Sequence, residues 1–156
     1  HLDYFRRHAP GFEHAWILLS APQIGVRHTG RAVGRRKMRA EDWKRGVHHP
    51  DEIGVSPSPS QKFDNVSVPY GALLPVGLDN VLVAGRHIAT DPQTQSFMRE
   101  IPQCWVTGQA AGAAAAMSAA SGTDPAALDV RRLQDELRRQ GVYLRRAGSR
   151  ASAAAV

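Results

Sequence analysis

Residues 78–91 read LDNVLVAGRHIATD, and residues 108–122 read GQAAGAAAAMSAASG. A short apolar run ends at Ala-Gly-Arg, and a helix built almost wholly of glycine and alanine follows it. Neither suits an ordinary core, because a larger side chain would bury more apolar surface at each of those positions. Glycine inside a helix costs about 1 kcal/mol relative to alanine, so Gly108 and Gly112 are unfavourable unless a close neighbour offsets them. They lie four apart, on one helical face, and Ala116 continues the row. Such a stripe admits a strand, another helix or a flat ligand to contact distance. Tight helix-on-sheet packing alone also accounts for the spacing, so the stripe by itself does not choose. The preceding NVLVAG (80–85), bounded by Asp79-Asn80 and Gly85, reads as a buried strand.

Working outward, Pro102 sits where the first turn of a helix tolerates a missing N–H, and Gly122 is a left-handed stop, so this helix should run from 102 to about Ala120. Asp129 then caps VRRLQDELRRQ, whose Val130, Leu133 and Leu137 form one apolar stripe ended by Gly141. Towards the other end, residues 2–20 predict a helix, a break at Pro10-Gly11, and a second short helix through HAWILLS. QIGVRHTGRAVGRR (23–36) alternates loosely and reads as a strand. That alternation places Arg27, Thr29, Arg31 and Val33 on one face, with Val26, His28 and Ala32 on the other. RAEDWKRG is a short helical turn stopped by Gly46, and VSPSPSQKFDN (55–65) is a connection or lid. VSVPYGALLP (66–75) gives two extended pieces broken at Pro69 and Gly71, and the stretch between 85 and the long helix reads as irregular.

At 156 residues the chain is long enough for one domain with a real core. It opens at His1 and closes on AGSRASAAAV, and it reads as part of a longer protein. The net charge of +6 raises a nucleic-acid partner as a possibility. The basic residues, however, fall in short clusters without interleaved aromatics to stack bases, so a solvated surface facing an acidic partner or segment is the preferred reading. A single cysteine, Cys104, excludes an internal disulfide and fits a reducing, cytoplasmic setting. The stretch 101–120 has spanning length but carries Gln103, Thr107, Gln109 and Ser118, so no membrane span is expected.

A strand ending in Ala84-Gly85 lets a ligand press against the backbone, and a following helix presents unpaired N–H groups at the same mouth. The residues VPYGALLPVGLDNVLVAGRHIATDPQTQSFMREIPQCWVTGQAAGAAAA (68–116) resemble the C-terminal segment of the FAD-dependent oxidoreductases of glutathione-reductase-like architecture. PYGALLP, LDNVLVAGR and TGQAAG carry the resemblance, and IGVRHTGRAVG followed by AEDW resembles the strand and turn of the same family's substrate-side domain. Together they cover most of residues 20–145.

The resemblance implies an α/β fold, or an α+β fragment, with extended strands of a substrate domain beside part of a two-dinucleotide-binding FAD domain. Residues 1–65 would belong to the substrate or cap domain and 66–122 to the return strand and helix of the FAD domain. A C-terminal helix at 123–145 and a disordered tail at 146–156 would follow. It implies FAD as cofactor and hydride transfer between flavin and a small-molecule substrate. Ala84 and Gly85 would lie along the ribityl and pyrophosphate portion, with Arg86 equally suited to a phosphate, a substrate or a ribityl contact; Gln103 and Thr107 would lie near the isoalloxazine ring, and Gly108, Ala111 and Gly112 would form the close-packed face.

His87 is the histidine candidate for proton transfer, set against a hydrogen-bonded loop histidine. Arg27, Arg31 and Arg99 are substrate-binding candidates; for Arg99, pairing with Glu100 or Asp91 competes. No metal site is expected, because His48-His49 and Asp51-Glu52 are near neighbours on an extended chain. Cys104 reads as packing, and Trp16, Trp43 and Trp105 as core.

Three positions depart from the family. Arg86 follows the glycine where an acidic residue would accept from ribityl hydroxyls, Gly30 replaces a frequent arginine, and Arg39 replaces a serine or threonine cap. A fourth departure is larger: nothing supplies the G-x-G-x-x-G that holds the ADP half. The expected partner is therefore an N-terminal remainder of the same protein carrying that motif. A basic non-enzymatic binding module and an inactive remnant of the flavoenzyme are the alternatives.

Overall fold

The computed structural model describes residues 1–28 and 30–145; Thr29 and the tail expected at 146–156 lie outside the described residues. The long helix is the spine. Helix α4, Ile101–Ser121, is 21 residues with Pro102 in its first turn, and Gly122 closes it in the left-handed conformation at φ 64. Its inward face is Gln103, Thr107, Ala110, Ala114 and Ser118, all small or hydrogen-bonding, which lets neighbours approach closely. Against it lie a two-stranded antiparallel sheet, β1 (Glu52–Ser56) and β2 (Val66–Pro69), and helix α5 (Val130–Arg139). Asp129 caps α5 by accepting from the Arg131 N–H, and Leu133 and Leu137 are fully buried. This mixture of helices with one small sheet is compatible with either α/β or α+β. The β1–β2 hairpin joins residues on both sides of the boundary expected at 65/66.

A close helix-to-strand approach falls at a glycine that sequence reasoning passed over. A Cβ added to Gly54 in β1 would sit 2.2 Å from Val106 Cγ1 of α4. At Gly108 and Gly112 a Cβ would meet no described atom within 4 Å, and these two positions of the expected close-packed face are open to solvent. The contact between helix and strand is made on the opposite side of α4, through Gly54.

Helix α2 (Ala40–Lys44) ends before Gly46, at φ 66, as the turn chemistry predicts. The stretch expected to be irregular contains helix α3, Pro92–Met98, with Pro92 in its first turn and Asp91 as N-cap. Asp91 accepts from the Thr94 N–H at 2.7 Å and also from the Ala40 N–H at the start of α2, at 2.7 Å. One carboxylate thus serves two helix starts. Trp43 is buried edge-on against Phe63 and Phe97 and donates to Thr94 Oγ1 at 3.1 Å.

Several expectations are corrected. The described residues of 23–36 form no ladder; a bridge joins Gly34 to Pro75, and Val26 and Val33 are exposed. The run 80–84 opens on Asn80 in the left-handed region at φ 56 and is unladdered as well, anchored by the Val83 N–H to Leu73 O at 2.9 Å. A strand is defined by a continuous ladder to its neighbours, and among the described residues each of these segments makes only isolated backbone bonds. HAWILLS is not helical after α1 (Leu2–His8): Trp16, Ile17, Leu18 and Leu19 are exposed, and a short helix needs a buried face to persist. Trp16 and Trp105 are exposed rather than core. Val55 and Ser56 belong to β1, so the connecting loop begins at 57, and the second extended piece of 66–75 is a single 3-10 turn, Tyr70–Leu73.

Candidate functional site

The turn Gly85–His87 sits on the first turns of α4. Gly85 has φ 68, a conformation that favours glycine, and its N–H donates to Thr107 Oγ1 at 3.0 Å. The Thr107 hydroxyl in turn donates to Gln103 O at 2.9 Å. A Cβ at Gly85 would lie 3.5 Å from Cys104 Sγ, in ordinary contact. From the other side, Gln95 of α3 donates from Nε2 to Arg86 O at 2.8 Å. The turn is therefore fastened to both helices, directly beside the N-terminus of α4. The N-cap of α4 is Glu100, whose side chain makes no capping hydrogen bond.

The charge around this terminus is mixed. Burial pushes the Cys104 thiol up; the Arg86 guanidinium acts against that and Glu100 with it, and the net result is a raised pKa. Cys104 is thus not an activated thiolate, and its Sγ lies 3.4 Å from Arg99 O as a donor. Arg99 caps α3 and keeps only 13% of its side chain exposed. Its Nη2 lies 3.7 Å from Glu100 Oε1, and among the described residues its buried Nε has no hydrogen-bond partner.

The structure brings Ala84, Gly85, Arg86 and Arg99 to the mouth of α4, and it separates the other candidates by face. Gln103 and Thr107 turn inward: Gln103 Nε2 donates to Ser56 Oγ at 3.1 Å, and Thr107 is committed to the Gly85 turn. Ala111 is half-buried against the core, while Gly108 and Gly112 lie on the open face. Ile101 and Trp105, 65% and 72% exposed, extend that open face towards the N-terminus. Sequence reasoning missed both, although their spacing to 108 and 112 was the available signal.

His87 is exposed, and its Nδ1 lies 3.2 Å from Gly30 O. Arg86 is exposed and donates from Nη1 to Val26 O. Arg27 is exposed and Arg31 half-buried, on the segment those two bonds reach. Elsewhere, His48 Nε2 lies 3.5 Å from Glu52 Oε2, and Glu52 Oε1 accepts from the Arg145 N–H at 2.8 Å.

Among the described residues no group of three or more His, Cys, Asp and Glu is arranged to hold a metal ion. No helix among them is long and apolar enough to cross a membrane. No curated protein matches the chain, and no solved structure does. The family model described as FAD dependent oxidoreductase matches residues 1–137. That match takes in the Gly85 turn, both helices that hold it and the open glycine face, and with it the chain belongs to the FAD dependent oxidoreductase family, whose cofactor is FAD.

Proposed function

We propose that this chain is the C-terminal portion of an oxidoreductase that moves a hydride between a small organic substrate and flavin. The observation that carries the proposal is the joining of two features at one place. The Gly85–His87 turn is bonded to Thr107 beside an uncapped helix start, and the face of that helix running through Gly108 and Gly112 is bare. The residues fit the cofactor's chemistry: the buried Arg99 Nε, without a partner among the described residues, is a donor awaiting an acceptor, and the face bare at Gly108 and Gly112 admits a flat ring.

FAD, when bound, supplies the hydride chemistry. In this reading the free N–H groups at the start of α4, with Arg86 and Arg99 beside them, favour negative charge at that mouth. Ala84 and Gly85 give backbone access along the cofactor. Gln103 and Thr107 act from behind, holding α4 to β1 and to the Gly85 turn. His87 is the proton-handling candidate, and Arg27, Arg31 and Arg99 orient an anionic group of the substrate. The ADP half would be held by a G-x-G-x-x-G segment that this sequence does not contain.

The test is Gly108→Leu in the protein expressed from its whole reading frame. A Cβ there meets no described atom within 4 Å, and leucine is the better helix former, so thermal stability should hold or rise by about 1 kcal/mol. Flavin absorbance per chain should fall sharply. Unchanged flavin content with an intact fold refutes the proposal.

A further inference from the structure

We infer that Arg86 and His87 are positioning residues, whose side chains clasp the two carbonyls immediately preceding Arg27 and Arg31 and so hold those arginines in register with the start of α4. Arg86 Nη1 donates to Val26 O, the residue before Arg27. His87 Nδ1 lies 3.2 Å from Gly30 O, the residue before Arg31. The main chain closes the grip on the far side of Arg31, where the Ala32 N–H donates to His87 O at 2.9 Å.

The segment needs such a clasp. Residues 23–28 are exposed, and the described residues of 23–31 belong to no strand that would fix their position. The turn that clasps it is itself firmly held, by Gly85 N–H to Thr107 on α4 and by Gln95 of α3 to Arg86 O. The consecutive Arg86 and His87 therefore transmit the position of α4 to a strip carrying the two cations Arg27 and Arg31.

The bond also sets the state of the imidazole. A carbonyl only accepts, so His87 Nδ1 carries the proton, and in the neutral ring the basic atom is Nε2. The clasp persists in both protonation states, because Nδ1 donates in the neutral tautomer and in the imidazolium alike. The departure at Arg86 is explained in the same way: only a donor reaches a carbonyl, and the acidic residue of the family pattern would not.

The meaning for substrate binding rests on the flavoenzyme reading; the clasp itself does not. The test is tryptic cleavage of the whole protein after Arg27 and Arg31, followed by mass spectrometry, with cleavage after exposed Lys62 as the internal control. Cleavage of a transiently opened segment tracks the open population, so losing one such bond should speed it about fivefold. Arg86→Met should accelerate cleavage after Arg27. His87→Ala and His87→Gln should accelerate cleavage after Arg31, whereas His87→Asn, whose amide nitrogen takes the place of Nδ1, should restore the wild-type rate. Wild-type rates in the Met, Ala and Gln variants overturn the clasp, and an Asn variant as fast as Ala overturns the Nδ1–H assignment. Flavin content is read on the same samples. A colourless wild-type protein would sink the proposed function, while the cleavage ratios still decide the clasp.

Discussion

Replacing Thr107 by valine isolates the bond on which the site geometry depends. The two side chains have nearly the same shape, so packing around this fully buried position is kept while the hydroxyl is lost. Gly85 N–H then has no acceptor in a half-buried turn, where it had one at 3.0 Å. The net worth of such a bond is about 1–2 kcal/mol, which corresponds to roughly a five- to thirtyfold rise in the local opening equilibrium. Native-state hydrogen exchange reads that equilibrium directly at the Gly85 amide. The Tyr70 amide, bonded to Asp51 O at 2.8 Å in a different part of the core, serves as the unaffected reference. Thr107→Ser, which keeps the oxygen, should leave Gly85 near its wild-type rate. Flavin retention should follow the exchange, falling in the valine variant and not in the serine variant. If the Gly85 amide in Thr107→Val exchanges no faster than in wild type, the turn is not held to α4 by this hydroxyl.

Gly54→Ala should destabilise by about 1–3 kcal/mol, since the new methyl meets a stiff β-branched Val106 on α4. Val106→Ala in the same background should recover part of that loss, and a wild-type melting temperature for the single variant would contradict the close approach of β1 to α4. Burial pushes the Asp91 carboxyl up, but the N–H groups of Ala40 and Thr94, the Thr94 hydroxyl and the charge of Lys37 outweigh it and hold the group below its ordinary 3.8. Its stabilisation is therefore present above that value and is lost as pH falls through the lowered one. Asp91→Ala should cost about 1–3 kcal/mol near neutrality and remove that acid-side dependence in denaturant titrations. Burial, with Asp124 adding to it, pushes the Tyr70 phenol up to about 12 from 10.0, and its hydroxyl donates to Pro125 O at 2.8 Å. The raised value means stability is full below the unfolded value of 10.0 and is lost as pH climbs towards about 12. Tyr70→Phe should lose about 1 kcal/mol below that window and show a flatter decline within it.

Local chemistry, read along the chain, determined the helix punctuation and the family. Pro102, Gly122, Asp129, Gly141 and Gly46 act within a turn of themselves, through a missing N–H, a positive φ or a side-chain acceptor, so their effect needs no distant partner. The order PYGALLP, LDNVLVAGR, TGQAAG is likewise a linear property. Tertiary structure decided what depends on neighbours. Whether 23–36 and 80–84 are strands is set by what lies beside them, and periodicity cannot report that. β1 was hidden because Glu52 and Ser56, polar in sequence, are buried by partners from Arg145 and Gln103, which are remote in the chain. The glycine that matters for helix-to-strand contact proved to be Gly54, because contact is fixed by which face of α4 turns inward. Sequence marked Arg86 and His87 as chemically able side chains. Only the fold, by carrying Val26 and Gly30 across to them, decided what those side chains hold.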